Sequence, residues 1–174
     1  MILLLNGPPG VGKTAVAREL LPRLGDAVLL DAAALAAFPP EDWLDAPYRR
    51  QAEAALLTLV DHHLAAGRQR FLIVGVYPEP SELGALIERL AERSAPALAF
   101  RLTCSFEDLK RRLLAGVQAG DEFGLTLRRG RALLDLLNAQ GGESALGRVV
   151  QTTDLALGTV ADRIWAISQT DLGA

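Results

Sequence analysis

The residues best suited to chemistry by type and spacing run from Gly7 to Thr14, "GPPGVGKT". Lys13 is one of only two lysines, Lys110 being the other, in a chain with eighteen basic residues. A sequence that writes arginine almost everywhere writes lysine between Gly12 and Thr14, and there is a chemical reason for it. Glycines let the backbone fold around an anion with N–H groups pointing inward. Lysine is a compact point charge on a flexible stem, so it reaches outer phosphates from within a wrapped loop where the planar fork of arginine does not fit. The hydroxyl of Thr14 is a ligand for Mg²⁺, which prefers oxygen donors and keeps several waters. The spacing fits G-x-x-x-x-G-K-[ST], a pattern that has meaning only between a strand and a helix. That context is present: "ILLLN" (2–6) reads as a strand buried on both faces. A helix over 13–23 follows, and its N-terminal dipole adds to the anion site. Gly7, Pro8, Pro9, Gly10, Val11, Gly12, Lys13 and Thr14 are therefore expected to cradle the phosphates of a nucleoside triphosphate, with Thr14 on the metal.

Two further groups of residues carry candidate chemistry. Asp31 ends the apolar run "AVLLD" (27–31), at the carboxyl edge of a strand, where ligands of open α/β sheets bind. There it can take the proton of an attacking hydroxyl; alternatively it caps a short helix, "AAALAAF". The second group is basic. Between 101 and 131 the chain has seven basic residues against four acidic ones, a local charge of +3 within a net charge of −3. Arg112 and Arg128 are the candidates there for stabilising charge on a transferring phosphoryl group. Arg112 can instead stack on adenine, and any of these arginines can simply decorate a solvated helix. Gly116, Gly120, Gly124 and Gly130 punctuate the same segment, so 111–131 reads as a lid with built-in hinges.

These residues need elements to position them. Beyond the first two strands, the pattern predicts a helix over 48–66, a strand over 70–77 and a helix capped by Ser81 that runs to about 93. A strand over 96–103 comes next, followed by a helix opened by a capping box of Ser105 and Asp108. A helical stretch over 116–140, a strand over 148–152 and a last helix over 157–168 complete the alternation. Strands alternating with helices mean an α/β fold, a parallel sheet covered on both faces. At 174 residues one domain is expected. Cys104 is the single cysteine, so no internal disulfide forms and a reducing compartment fits. "MILLL" is too short for a signal peptide, and no run is long enough to span a bilayer; a soluble, cytoplasmic protein is expected. The acidic balance argues against long nucleic acid as a partner. Trp43, Tyr48 and prolines 39, 40 and 47 either wall an acceptor pocket or pack a loop. Tyr77 and Glu79 are further acceptor candidates. His62 and His63 lack acidic or cysteine partners at metal spacing.

Beside this reading stands a resemblance. "GPPGVGKT", the acid ending "VLLD", the segment "FEDLKRRL" and the final "VVQTTDLALGTVADRI" together resemble the small P-loop kinases: shikimate, gluconate and adenylate kinases, and more closely the chloramphenicol phosphotransferase-like group. The resemblance implies a three-layer fold with a five-stranded parallel sheet in the order 2-3-1-4-5. It also implies an arginine-bearing lid and a loop after the last strand, containing Thr153, that lies against the nucleotide base. ATP and Mg²⁺ are the implied cofactors, and a small-molecule hydroxyl the implied acceptor, in a monomer or homodimer. The sequence departs from the pattern at Ala115, where the family commonly has another arginine. Gly75 stands where an acid would follow strand three, leaving Mg²⁺ to Thr14, phosphate oxygens and waters. That missing acid and the short chain also set it apart from large AAA-type ATPases, and no GTPase elements are in place. Three functions stay open: a small-molecule kinase, a nucleotide or polynucleotide kinase, and a nucleotide-binding regulator or slow ATPase.

Overall fold

A computed structural model describes residues 1–35, 46–93, 96–116, 121–140 and 146–172. Its five strands are β1 (Ile2–Asn6), β2 (Val28–Asp31), β3 (Phe71–Val74), β4 (Ala97–Thr103) and β5 (Arg148–Gln151). They form one parallel sheet in the order β2-β3-β1-β4-β5. Six helices cover it: α1 (Lys13–Leu20), α2 (Ala46–Ala65), α3 (Pro80–Ala91), α4 (Phe106–Gly116), α5 (Asp121–Ala139) and α6 (Leu157–Leu172).

The central position of β1 explains its composition. All five of its residues are buried, and they alternate between two apolar clusters. Leu3 and Leu5 pack with Val16, Ala17 and Leu20 of α1 and with Val160 and Ile164 of α6. Ile2 and Leu4 pack on the opposite face with Leu56 and Val60 of α2 and Leu83 and Leu86 of α3. Each buried aliphatic side chain contributes about 2 kcal/mol. A strand with helices on both sides has no polar face to show, hence the unbroken "ILLL".

The order of strands also places the site. From β1 the chain moves outward through β2 and back to β3, then α3 carries it across β1 to β4. The carboxyl end of β1 is therefore the switch point, where an open α/β sheet leaves a crevice. Asp31, Gly75 and Thr103 stand at or just beyond the same edge on neighbouring strands.

Local boundaries differ from the sequence expectation in instructive ways. Strand three is only four residues long, because the chain leaves the sheet at Gly75 rather than continuing to Tyr77. Ser81 is not a cap: Glu79 holds the N-cap position of α3 with Pro80 behind it, the first-turn place where a missing N–H costs nothing. "AAALAAF" forms a 3₁₀ turn over Ala32–Ala34, and its last residues lie outside those described. Within the stretch 116–140, Gly116 ends the described part of α4 and Asp121–Ala139 form α5, while 117–120 lie outside the described residues. Ser105 does cap α4, its Oγ accepting from Asp108 N–H at 3.2 Å. The Asp108 carboxylate turns to arginines instead of completing the box.

Candidate functional site

The loop between β1 and α1 is built around glycine. Gly12 takes φ 101° at the N-cap of α1, a left-handed conformation that side chains resist. At Gly10 a Cβ would come within 2.7 Å of Leu113, so α4 can lie against the loop only because no side chain is there. Gly12 supplies no side-chain cap and the first turn of α1 has no acid, so the leading N–H groups and the positive helix end face the crevice uncompensated.

Lys13 opens α1 and curls back across the loop, its Nζ donating to Gly7 O at 2.8 Å and Pro8 O at 3.0 Å. It is 9% exposed. Burial lowers its ammonium pKa to about 8, with the Asp31 carboxylate pulling it partly back up. Thr14 Oγ1 donates to Asp31 Oδ2 at 3.0 Å, while Asp31 Oδ1 accepts from Ala33 N–H at 3.2 Å. One oxygen caps the 3₁₀ turn and the other faces Thr14, so the capping and chemical readings of Asp31 are compatible in one rotamer. Lys13, Thr14, Asp31, Gly75 and Arg112 line one cleft of about 350 Å³ together with Pro9, Gly10 and Gly12.

Arg112 joins three segments. Its guanidinium donates to Val11 O at 2.9 Å, to Thr152 Oγ1 at 2.9 Å and to Thr152 O at 2.7 Å. Asp108, nearly buried, pairs with it at 3.3 Å and also accepts from Asp154 N–H at 3.1 Å. Arg112 thus stands between the first cleft and a second of about 660 Å³, lined by Arg111, Asp154, Leu155 and Leu157. Thr153 points elsewhere: its Oγ1 accepts from Ser105 N–H at 2.7 Å. The loop named from sequence does border a cleft, through the residues that follow Thr153, Asp154 to Leu157.

The other basic residues disperse. Arg101 is buried in β4 and bonds Leu137 O. Arg131 pairs with Asp135 and lies over the Phe106 ring. On α5, Gly130 faces Pro9 and Leu113. Arg128, two residues earlier, is about 200° around the helix and exposed, so it is not brought to the loop. Gly120 and the side chains around Gly124 lie outside the described residues, as do Trp43, Pro39 and Pro40. Tyr48 and Tyr77 share a small recess beside Ala33 and Val76, whereas Glu79 is exposed at the start of α3. Cys104 is buried and burial raises its thiol pKa, so it is a packing residue. Among the described residues no His, Cys, Asp and Glu cluster suits a metal, and no helix is long and apolar enough to cross a membrane.

Sequence reasoning missed Asn6. It is fully buried, and its Oδ1 accepts from Gly7 N–H at 2.8 Å and from Tyr77 N–H at 2.9 Å while its Nδ2 donates to Tyr77 O at 3.0 Å. One amide therefore ties the start of the loop to the chain leaving β3. The available signal was a polar residue ending an otherwise apolar strand. Asn6→Ala strands three buried main-chain groups, a loss of about 3 kcal/mol, or roughly 6–12 °C in melting temperature for a chain this size. Asn6→Asp, which keeps the accepting oxygen, should fall less. Equal melting of Asn6→Ala and wild type would show that water replaces the amide.

Gly75 explains the missing acid of strand three. The Tyr77 ring lies 2.3 Å from where its Cβ would be, so a side chain there would have to displace that ring. The carboxylate nearest Thr14 comes instead from the neighbouring strand, as Asp31.

Known structures share this fold. The tunicamycin resistance protein of Deinococcus radiodurans superposes with a TM-score of 0.67 at 21% identity, covering 98% of this chain and 95% of that one. The fold is that of the P-loop kinases. A sugar kinase from Janibacter matches with a TM-score of 0.66 at 17% identity, over 98% of this chain and 94% of its own. Shikimate kinase from Acinetobacter baumannii, solved with shikimate, matches at 0.57 and 20% identity, over 98% and 93%. No protein-family model and no curated protein sequence matches the chain.

Proposed function

We propose that this protein is an ATP-dependent phosphotransferase that moves the γ-phosphate to a hydroxyl of a small molecule. One observation carries the reading: Lys13, the open N-terminus of α1, and the Thr14–Asp31 pair converge on one cleft at the switch point of a P-loop kinase-like fold. The kinase names of several structural neighbours support it.

In this reading the loop N–H groups and Lys13 hold the β- and γ-phosphates. The donor set fits Mg²⁺, since Thr14 offers a hydroxyl backed by a carboxylate and the remaining positions suit phosphate oxygens and waters. The metal, when bound, neutralises phosphate charge. Asp31 Oδ2 accepts the proton of the acceptor hydroxyl as its oxygen bonds to the γ-phosphorus. The bond from phosphorus to the β–γ bridging oxygen breaks, and ADP leaves with that electron pair. Arg112, held between both clefts, meets charge spreading over the phosphoryl oxygens. The second cleft takes the base against Leu155 and Leu157. Segment 111–131 is the lid, with Arg128 the cation that its closure would bring in.

Thermal melting with and without ATP–Mg²⁺, then ATP consumption across metabolite pools, tests the proposal. Stabilisation by ATP with acceptor-dependent turnover is expected. Turnover indifferent to every acceptor would make the chain a slow ATPase or regulator, and turnover confined to nucleotide or polynucleotide ends would make it a nucleic-acid-type kinase.

Protonation offers a separate check. A triphosphate beside Lys13 favours its charged form and raises its pKa from about 8. Binding ATP at pH 8 should then take up about half a proton, and almost none at pH 6.5. Calorimetry in buffers of different ionisation enthalpy reads this directly. Heats independent of buffer at pH 8 would remove Lys13 from the phosphates.

A further inference from the structure

We propose that the acceptor site takes an uncharged hydroxyl compound bearing a short apolar arm, and that the Arg49–Glu82 pair excludes anionic acceptors. This inference rests on the phosphotransferase reading. Beyond Asp31, the 350 Å³ cleft is bordered by Ala33 and Val76. The same two residues border a recess of about 30 Å³ walled by Tyr48, Arg49, Ala52 and Tyr77. That is room for about two water-sized groups, enough for a methyl or ethyl arm or a ring edge beside two aromatic side chains and two alanines.

The one cation in that wall is already committed. Arg49 Nε and Nη2 each donate to a different oxygen of Glu82 at 2.8 Å, the bidentate geometry that makes such pairs strong and specific. The Arg49 side chain is 12% exposed and that of Glu82 30%, so the arginine sits in the wall while the carboxylate keeps contact with water. Behind it Glu53 pairs with Arg89, adding no net charge. A carboxylate or phosphate entering the recess would have to draw Arg49 from Glu82 and sit beside that carboxylate, or remain desolvated against a neutral wall. A neutral arm meets neither cost. Selection here works by rejecting the wrong charge as well as by fitting the right shape.

The test compares matched alcohols, D-glucose with D-gluconate, uridine with uridine 5′-monophosphate, and 3-phenyl-1,2-propanediol with 3-phenyllactate. Radiolabelled phosphate transfer from ATP is measured with wild type, Glu82→Gln, and the double variant Arg49→Met with Glu82→Leu. In wild type the neutral member of a used pair should win by about tenfold or more, and Glu82→Gln, which removes the carboxylate charge set against Arg49, should shrink or invert that ratio by about as much. The double variant, lacking both charges, should keep the neutral preference if Glu82→Gln folds poorly. Throughout, stabilisation by ATP–Mg²⁺ should match wild type, because Glu82 does not border the nucleotide clefts. Preference for the anionic member, or a ratio that Glu82→Gln leaves alone, overturns the proposal. So does failure of every pair to exceed the rate with ATP alone while ATP binding persists. Absence of ATP stabilisation in wild type itself would instead strike the phosphotransferase reading.

Discussion

Replacing Lys13 by methionine is expected to abolish stabilisation by ATP–Mg²⁺ and to lower phosphoryl transfer by about 10²–10³-fold, the scale of losing one preorganised charge at the transition state. At 100 times the dissociation constant, ATP should raise the stability of wild type by about 2.7 kcal/mol, so its loss in the variant is easily seen. The ligand-free variant should melt no lower than wild type at pH 7. The sign follows from the lowered pKa of Lys13, about 8 against an unfolded value of 10.5. A charged ammonium is disfavoured in the fold, so below pH 8 the native state carries the whole penalty. The penalty fades as pH rises from about 8 toward 10.5, where the unfolded chain holds more protons. Methionine keeps the apolar stem and removes that penalty, of order 2–3 kcal/mol, against the loss of two bonds to Gly7 and Pro8 carbonyls worth about 1 kcal/mol each. A folded variant that ATP still stabilises to the wild-type extent would show that the phosphates lie elsewhere.

The contrast between Lys13 and Arg112 shows what a sequence can and cannot convey here. The loop was legible because its constraints are local: glycine backbone, a strand before, a helix after, and a lysine among arginines. The sheet order followed from resemblance, and the buried runs of β1 and β3 agree with it. Arg112 was legible as a candidate beside Arg128, and its i,i+4 pairing with Asp108 is local to α4. Its distinction comes from Val11 and Thr152 meeting it from two distant segments, contacts that no local pattern encodes. Asn6 was missed for the same reason, since its partner Tyr77 is 71 residues away. Thr153 turns its hydroxyl to Ser105 N–H while Asp154, at φ 53°, borders the second cleft, a choice of facing side chains that the turn makes and the sequence does not display. The glycine at 75 was legible, but the Tyr77 ring folded over it two residues on was not.

Asp31→Asn is expected to reduce transfer to the acceptor by about 10²–10⁴-fold, the usual contribution of a positioned base, while leaving melting temperature and ATP stabilisation nearly unchanged. Asparagine is as good a cap as aspartate, so the bond from Ala33 N–H survives. Its Nδ2 then stands in the place of Oδ2 and can donate to Thr14 Oγ1, which keeps Thr14 beside it. What it cannot do is take a proton from an attacking hydroxyl or hold negative charge beside Lys13. The two readings of Asp31 then separate cleanly. A purely structural residue leaves turnover intact in Asp31→Asn and loses about 1 kcal/mol of stability in Asp31→Ala. A proton acceptor gives the opposite pattern, slow transfer at full stability, and the loss should appear in kcat more than in the KM for ATP, since the phosphates are held by the loop and α1. Turnover equal to wild type with any acceptor would return Asp31 to its role as the cap of the Ala32–Ala34 turn.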